Sequence, residues 1–423
     1  MSKLSYLEKL LDGAEIEWLP LKNLTADRFW IMPATPNFNE QEDVPYITSK
    51  NIGGWHIHFN KVKFISQLDY LNLSRNRPIL EGDILISMIG TIGEVAKVKD
   101  TDLPFYGQNM YLLRLNSNVI ESDYFLHFFD SSTIKHFFSS TKNNSGQGYL
   151  KANNIEELQI PIPCPKNPEK SLAIQGEIVR ILDAFTSLTA ELTAELTAEL
   201  NMRKKQYNYY RNKLLTFQDG EVPHLPMGQY DVGTFIRGSS LQKKDFTETG
   251  VCCIHYGQVY TYYGTCAHKT KSFVSEEFAQ KARKAQTGDL IIATTSENDE
   301  DVCKAVVWLG EGEIAISGDA CFYKHNLNPK YVAYFFQTEQ FEEQKRKYIT
   351  GAKVKRVNAD NLAKILIPVP PLAAQSRIVS ILDKFDALTN SISKGLPREI
   401  SLRKKQYEYY RDQLLSFPKS LKE

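Results

Sequence analysis

Apolar positions along this chain change period several times, and the changes divide it into parts. From Ser171 to Phe217 there is no proline and only one glycine, and good helix formers fill the interval, which predicts a long helix. Within it Leu188, Leu192, Leu196 and Leu200 recur every fourth residue. The row continues through Arg203, Tyr207, Tyr210, Leu214 and Phe217 in alternating steps of three and four, the spacing of a coiled-coil seam with one charged member. A second row, Leu388, Ile392, Leu396 and Ile400, stands 200 residues further on. There Gly395-Leu396-Pro397 should kink or cap the helix, since proline suits only a first turn. As one helix, residues 181–217 would extend about 55 Å at about 1.5 Å per residue.

Elsewhere the pattern is shorter. "DILIS" (83–87) and "VPYIT" (44–48) read as strands, and "SDYFLHFFDSSTIKHFFSS" (122–140) sets aromatics at helical spacing, predicting a core-facing side. The globular parts are therefore mixed α/β.

The pattern is also written twice. "RKKQYNYYRNKLLTF" (203–217) returns as "RKKQYEYYRDQLLSF" (403–417), identical at eleven of fifteen positions. "IVRILDAFTSLT" (178–189) returns as "IVSILDKFDALT" (378–389), "IPIP" (160–163) as "IPVP" (367–370), and "EGDILIS" (81–87) as "TGDLIIA" (287–293). Even the opening "KLLDGAEIEWLP" (9–20) is similar to "KLLTFQDGEVPHLP" (213–226) once short gaps are allowed. Two variable globular segments thus alternate with two closely similar helical ones in nearly cyclic order, the mark of an internal duplication. We place the boundaries at 1–158, 159–218, 219–365 and 366–423. Three copies of Thr-Ala-Glu-Leu fill 189–200, but the second half keeps the apolar row without that wording. Packing accounts for the row, and tandem duplication for the wording. Glu191, Glu195 and Glu199 stack like charges at i, i+4, so they should face solvent or a basic partner.

Composition narrows the function. The chain's 423 residues are 42% hydrophobic and 24% charged, which describes a globular protein of two or three domains. The opening "MSKLSYLEKLLDGAEIEW" has no apolar core run, so it does not read as a secretory signal, and no apolar stretch approaches the roughly 20 residues that span a bilayer. The cytoplasm is the expected location, without membrane attachment. Six irregularly spaced cysteines make no disulfide framework. A net charge of +1 is low for a freestanding DNA binder, so local patches or partner subunits would have to supply phosphate contacts.

Parts for catalysis are missing. There is no G-x-x-x-x-G-K-[ST] loop, no glycine-rich turn opening a helix after a strand, and no adenine-methylation N/D-P-P-Y/F run. "GTIGEV" (90–95), after "DILISMI", reads as a turn between strands. The pairs "CIH" (253–255) and "CAH" (266–268) could supply a zinc set, but the spacing is unusual and the first half has nothing similar, so reduced structural thiols are the expectation and no metal is assigned. The acidic "SENDEDVC" (296–303) reads as a hairpin tip that is solvated or faces a partner.

Two variable segments, two conserved helical segments, the "IPIP" and "IPVPPL" runs leading into them, the TAEL units and the duplicated "RKKQYxYYRxxLLxF" resemble the specificity (S) subunit of type I restriction–modification enzymes, most of all the TAEL-repeat, type IC-like group. The resemblance covers essentially the whole chain. It implies two target recognition domains, each reading one half of a split double-stranded DNA target, joined by two long helices in an antiparallel coiled coil with pseudo-twofold symmetry. The helices would set the unread gap between half-sites. It also implies a subunit with no catalytic residues and no cofactor of its own. Two methylation subunits, with S-adenosylmethionine, and restriction subunits, with ATP and Mg2+, would dock on it. A bivalent protein-binding adaptor without DNA readout, or a remnant of a fused restriction–methyltransferase, are the rival readings.

Candidate DNA contacts follow from side-chain chemistry. "TKNNSGQGYLK" (141–151) offers Lys142, Asn143, Asn144, Gln147 and Lys151 around two glycines and no acid. Asn and Gln can bond adenine edges bidentately and Lys can reach guanine or phosphate, although a solvated Gly/Asn turn has the same look. At the same repeat position, "KRKYITGAKVKR" (345–356) supplies Lys345, Arg346, Lys347, Lys353, Lys355 and Arg356. "CIHYGQVYTYYGT" (253–265) contributes His255, Tyr256 and Gln258, with Ser49, Lys50 and Asn51 as first-half counterparts; these are groove-facing loops or a packed aromatic hairpin.

Overall fold

The computed structural model describes residues 6–90, 92–141, 150–218, 220–390 and 395–418. The chain forms two compact units, Met1–Thr193 with Leu402–Glu423, and Ala194–Ser401.

In the first unit a four-stranded antiparallel sheet runs in the order Thr25–Ile31, Met110–Leu115, Ile84–Ser87, Val95–Lys97. Both of its faces are covered. Ile84, Ile86, Tyr111 and Leu113 enter a core with the helix α1 (Ser122–Phe129), while Leu85, Leu112, Met110 and Ala96 enter a second core. Side chains alternate along a strand, so a strand buried on both faces has to be apolar throughout, which explains the unbroken "ILI" and "YLL" runs. The second core lies against a three-stranded sheet in the order Lys63–Ile65, Val44–Thr48, Tyr106–Gln108, whose last pair is parallel. The aromatic face of α1 is core, as its spacing predicts: Tyr124, Phe125, Phe128 and Phe129 are all buried.

The second unit repeats this plan. Its main sheet runs Gly233–Arg237, Ala320–His325, Leu290–Ala293, Ala305–Trp308 and adds a fifth strand, Cys266–Ala267. Its smaller sheet again joins an antiparallel pair, Ser272–Val274 with Val251–Ile254, to a parallel partner, Ile314–Ile316. The proline-bearing runs are strands with matched partners: Gln159–Pro163 pairs with Ile16–Pro20, and Leu366–Pro368 with His224–Pro226. The similarity between residues 9–20 and 213–226 is thus a similarity of structural role.

Three long helices carry the conserved segments. The first, α2 (Pro168–Leu215), is one helix of 48 residues, contributing to the first unit up to Thr193 and to the second from Ala194. After the short α3 (Pro329–Phe335) come α4 (Leu372–Thr389) and α5 (Leu396–Leu414). The predicted interruption lies between α4 and α5. Gly395 has φ +81°, and a Cβ there would stand 2.5 Å from the Leu388 carbonyl, so only glycine fits.

Within each unit two helical segments touch through aromatic side chains. In the first, Phe185 stacks on Tyr410 and the Thr186 hydroxyl bonds the Tyr407 hydroxyl at 2.9 Å. In the second, Phe385 stacks on Tyr210 and on Tyr207. Leu192, Leu196, Leu200, Leu388, Leu396 and Ile400 are partly buried and Ile392 lies outside the described residues, but Leu188 is 51% exposed. A strict fourfold step advances about 40° beyond a full turn, so such a row winds off any one seam. In the first unit Ile174, Ile178 and Leu182 of this helix are buried in the core, with Phe185 packed against it.

Candidate nucleic-acid interface

Each unit carries a short helical corner where the parallel-paired strand ends. Thr48 caps the first, and Asn51 Oδ1 accepts the Thr48 N–H at 3.0 Å while its amide donates to the His58 carbonyl at 2.9 Å. His255 caps the second, and Gln258 Oε1 accepts the His255 N–H at 3.1 Å while its amide donates to the Ser272 hydroxyl at 2.6 Å. The Asn51 and Gln258 amides are therefore engaged in building their corners. His255 is buried between Phe246 and Tyr256, its Nδ1 accepts the Gly257 N–H at 3.2 Å, and burial together with nearby Lys243 lowers its pKa below the ordinary imidazole value. Ser49 is buried, Tyr256 half-buried and Lys50 exposed.

The basic segment of the second unit folds into a hairpin closed by the Thr350–Arg356 bridge. Gly351 has φ +93°, and a Cβ there would meet the Val354 carbonyl at 2.1 Å. Lys353 and Arg356 are exposed on it, Arg346 and Lys347 are exposed before it, and Lys355 pairs with Asp299 at 3.1 Å. Lys345 differs from its neighbours. It is 0% exposed, and its ammonium donates to the Val302 carbonyl at 3.0 Å, the Glu300 carbonyl at 3.3 Å and the Glu342 carboxylate. That ammonium pins the acidic 297–303 loop in place and cannot reach a phosphate, so Lys345 leaves the candidate contact set.

The two segments singled out in this half of the sequence meet. Lys355–Arg356 pairs with Thr295–Ser296, and the Tyr260 hydroxyl donates to the Thr295 carbonyl at 2.6 Å. Exposed Lys304 joins them by donating to the Tyr260 carbonyl at 3.3 Å, and Lys271 sits 4.9 Å from the ring of exposed Tyr262. No local signal marks Lys304 or Lys271, since three separate stretches of chain converge here. In the first unit the Leu150 N–H donates to the Met88 carbonyl at 3.0 Å, as the Val357 N–H does to Thr294 at 3.1 Å, so Leu150 and Val357 hold matching places. Lys151 is exposed there; Lys142, Asn143, Asn144 and Gln147 lie outside the described residues.

Gly90 and Gly93, both at φ +84°, turn the chain between two strands of one antiparallel sheet, not into a helix. Cys253 and Cys266 belong to different sheets, and burial pushes the Cys253 thiol up to about 12. Among the described residues no three His, Cys, Asp or Glu side chains are grouped to hold a metal, and no helix is long and apolar enough to cross a membrane.

Each unit is fastened to its helices by one repeated set of bonds. Buried Gln175 accepts the Glu121 N–H at 2.9 Å and donates to the Val119 carbonyl at 3.0 Å; buried Gln375 accepts the Asn328 N–H at 2.8 Å and donates to the Pro370 carbonyl at 2.8 Å. Tyr124 donates to the Pro161 carbonyl at 2.7 Å, and Tyr331 to Pro368 at 2.9 Å. Asp183 accepts from His127 Nε2 at 2.8 Å, and Asp383 from the Tyr334 hydroxyl at 2.6 Å.

This twofold arrangement has relatives. The family model for the type I restriction modification DNA specificity domain matches residues 31–202 and 227–402. The chain is 33% identical to the EcoR124I/EcoR124II type I restriction enzyme specificity subunit of Escherichia coli, over 99% of this chain and 98% of that one. It is 30% identical to a putative type I restriction enzyme specificity subunit of Haemophilus influenzae, over 98% of each. A chain solved in work on complex assembly and conformational transition of the type I R-M system shares the fold at a TM-score of 0.67 and 15% identity, covering 95% of this chain and 97% of that one. The HsdS subunit from Thermoanaerobacter tengcongensis shares it at a TM-score of 0.53 and 15% identity, covering 95% and 96%. With two domain matches and end-to-end similarity, the chain belongs to the type I restriction–modification specificity family, as a non-catalytic subunit.

Proposed function

We propose that this chain reads a bipartite, asymmetric DNA sequence and directs partner subunits to it. Each α/β head takes one half-site, with heads at 1–158 and 219–365 and conserved segments at 159–218 and 366–423 between and after them. The observation that carries this reading is the repeated fastening of two unlike heads: Gln175 and Gln375, Tyr124 and Tyr331, Asp183 and Asp383 tie them to the conserved segments from matching positions. Such a design presents different reading surfaces at a set separation, as a dimeric DNA reader does with identical ones. Exposed Lys50, Lys151, Arg346, Lys347, Lys353 and Arg356 are the proposed phosphate and base contacts in the described residues. Lys304, Lys271 and Tyr262 extend the second head's surface.

The paired helices act as a coiled-coil ruler. Each tetrad adds about 6 Å and about 40° of rotation, against about 3.4 Å of rise per base pair. Two methylation subunits, which would bring S-adenosylmethionine, fit the duplicated helix surface. Met202 and Tyr209, like Leu402 and Tyr409, leave matching exposed positions seven residues apart. Restriction subunits would add ATP- and Mg2+-dependent cleavage, in the cytoplasm.

Single-molecule methylation sequencing of DNA from cells expressing the chain with its partners tests this. The expected result is an interrupted, asymmetric motif. Deleting Thr193–Leu196 should shorten the gap and leave both half-sites unchanged, and a change in half-site identity would refute the ruler.

A further inference from the structure

The first unit contains a cleft of about 1270 Å³ that the DNA-reading proposal does not use. Trp18, Phe128, Ile134, Leu158, Leu415 and Phe417 form its apolar floor. Among its described lining residues are four carboxylates; Glu15 pairs with Lys166 at 3.2 Å, Glu157 with Lys22 at 2.6 Å and Asp412 with Arg411 at 3.5 Å, while Glu17 is exposed. Phe137 lines it while 38% exposed, and Ser131 lines it while only 3% exposed, its buried Oγ having no hydrogen-bond partner. A buried hydroxyl without a partner costs about 1–3 kcal/mol, so the cleft is built around a bond it does not itself make.

The duplication supplies an internal comparison. Positions 131, 137 and 159 correspond to 338, 344 and 366 in the second unit. There the Thr338 hydroxyl donates to the Phe335 carbonyl at 2.7 Å and accepts the Phe341 N–H at 3.2 Å. Gln344 closes over the strand, donating to the Leu366 carbonyl at 3.0 Å and accepting the Leu366 N–H at 2.8 Å. Phenylalanine at 137 has no group for such a clamp, so the same crevice stays open in the first unit. Beside the corresponding helix end, Asn212 replaces Asp412 and Lys213 replaces Gln413, in a recess of about 970 Å³ that Glu339 also lines. At the crevice between positions 137 and 159 the first copy is open, and at 344 and 366 the second is bridged.

We propose that this cleft is the docking site for a partner-protein segment carrying a bulky apolar side chain beside lysine or arginine. Exposed Glu17 at its rim attracts a basic flank, while the floor takes the apolar side chain and Ser131 takes a polar atom of the incoming segment. Because Gln344 bridges the matching crevice in the second unit, this contact breaks the pseudo-symmetry and marks the first head as the one engaged. The inference rests on the chain's acting as a subunit of an assembly, and not on which bases it reads.

The test places p-benzoyl-phenylalanine at position 137, and separately at 344, in the full chain purified with its methylation and restriction subunits. Irradiation should attach residue 137 to one partner segment with an apolar–basic sequence, at least tenfold more than residue 344. Glu17→Lys should lower that yield at least fivefold with an unchanged melting temperature. Absence of a partner adduct at 137 in an assembled complex, attachment only to a second copy of this chain or to DNA, or a yield indifferent to E17K would each overturn the proposal. The methylation motif read from the same preparation reports separately on DNA recognition.

Discussion

Phe185 lies on Tyr410 with ring centroids 5.7 Å apart and planes 18° apart, and two hundred residues along, Phe385 lies on Tyr210 at 5.6 Å and 25°. One contact is thus made twice with the donor and acceptor segments exchanged. It follows from writing one helical segment twice and folding each copy against the opposite end of the other.

Replacing Phe185 by alanine should therefore weaken the first unit alone. The expected loss is about 2 kcal/mol from apolar burial and ring pairing. Hydrogen exchange should rise around 182–188 and 407–414 and stay unchanged around Phe385, with F385A giving the mirror result.

His127 and Tyr334 occupy one repeat position but titrate differently. Burial holds the His127 pKa below its ordinary 6.5, although Asp183 pulls it back up. The unfolded chain therefore binds the proton more readily, and stability is lost as pH falls below about 6.5 toward the folded-state pKa. Histidine-to-tyrosine exchange at 127 (H127Y) should copy the second unit and reduce the fall in melting temperature between pH 7.5 and 5.5. Some fall will remain, because His255 and His325 are also lowered by burial, His325 to about 4.

Neutralising Lys353 and Arg356 should weaken DNA binding without unfolding the protein, since both are exposed. Each lost phosphate contact should reduce the slope of log affinity against log salt by about 1. Fluorescence anisotropy across a salt series, alongside melting curves, separates the two effects.

Lys345→Ala should do the reverse. It strips the counter-charge from Glu342 and leaves the Glu300 and Val302 carbonyls without their donor, so the second unit should lose about 3–5 kcal/mol. The salt slope of any DNA binding that survives should not change.

Much of this protein could be read without a structure. Repetition is visible in the letters, the 3.6-residue period of α2 is local, and Gly395-Leu396-Pro397 marks its own break because glycine and proline act on their own backbone. The apolar "DILIS" of 83–87 read as a strand, but that both its faces are covered came only from the fold. The basic run at 345–356 was harder, because Lys345 and Lys347 differ by two letters and by a full inversion of environment.

What the residues determined alone is the duplication, the long helices, the α/β heads and the kinship that follows from them. All of these depend on order along the chain. Tertiary structure decided which polar groups remain available: the Asn51 and Gln258 amides close their own corners, Lys345 turns inward, and Lys304 bonds the Tyr260 carbonyl 44 residues away. It also decided that the crevice at Phe137 stays open while the one at Gln344 is sealed. A donor or acceptor is satisfied by whatever folding brings within about 3 Å of it, and that neighbour is seldom near in sequence.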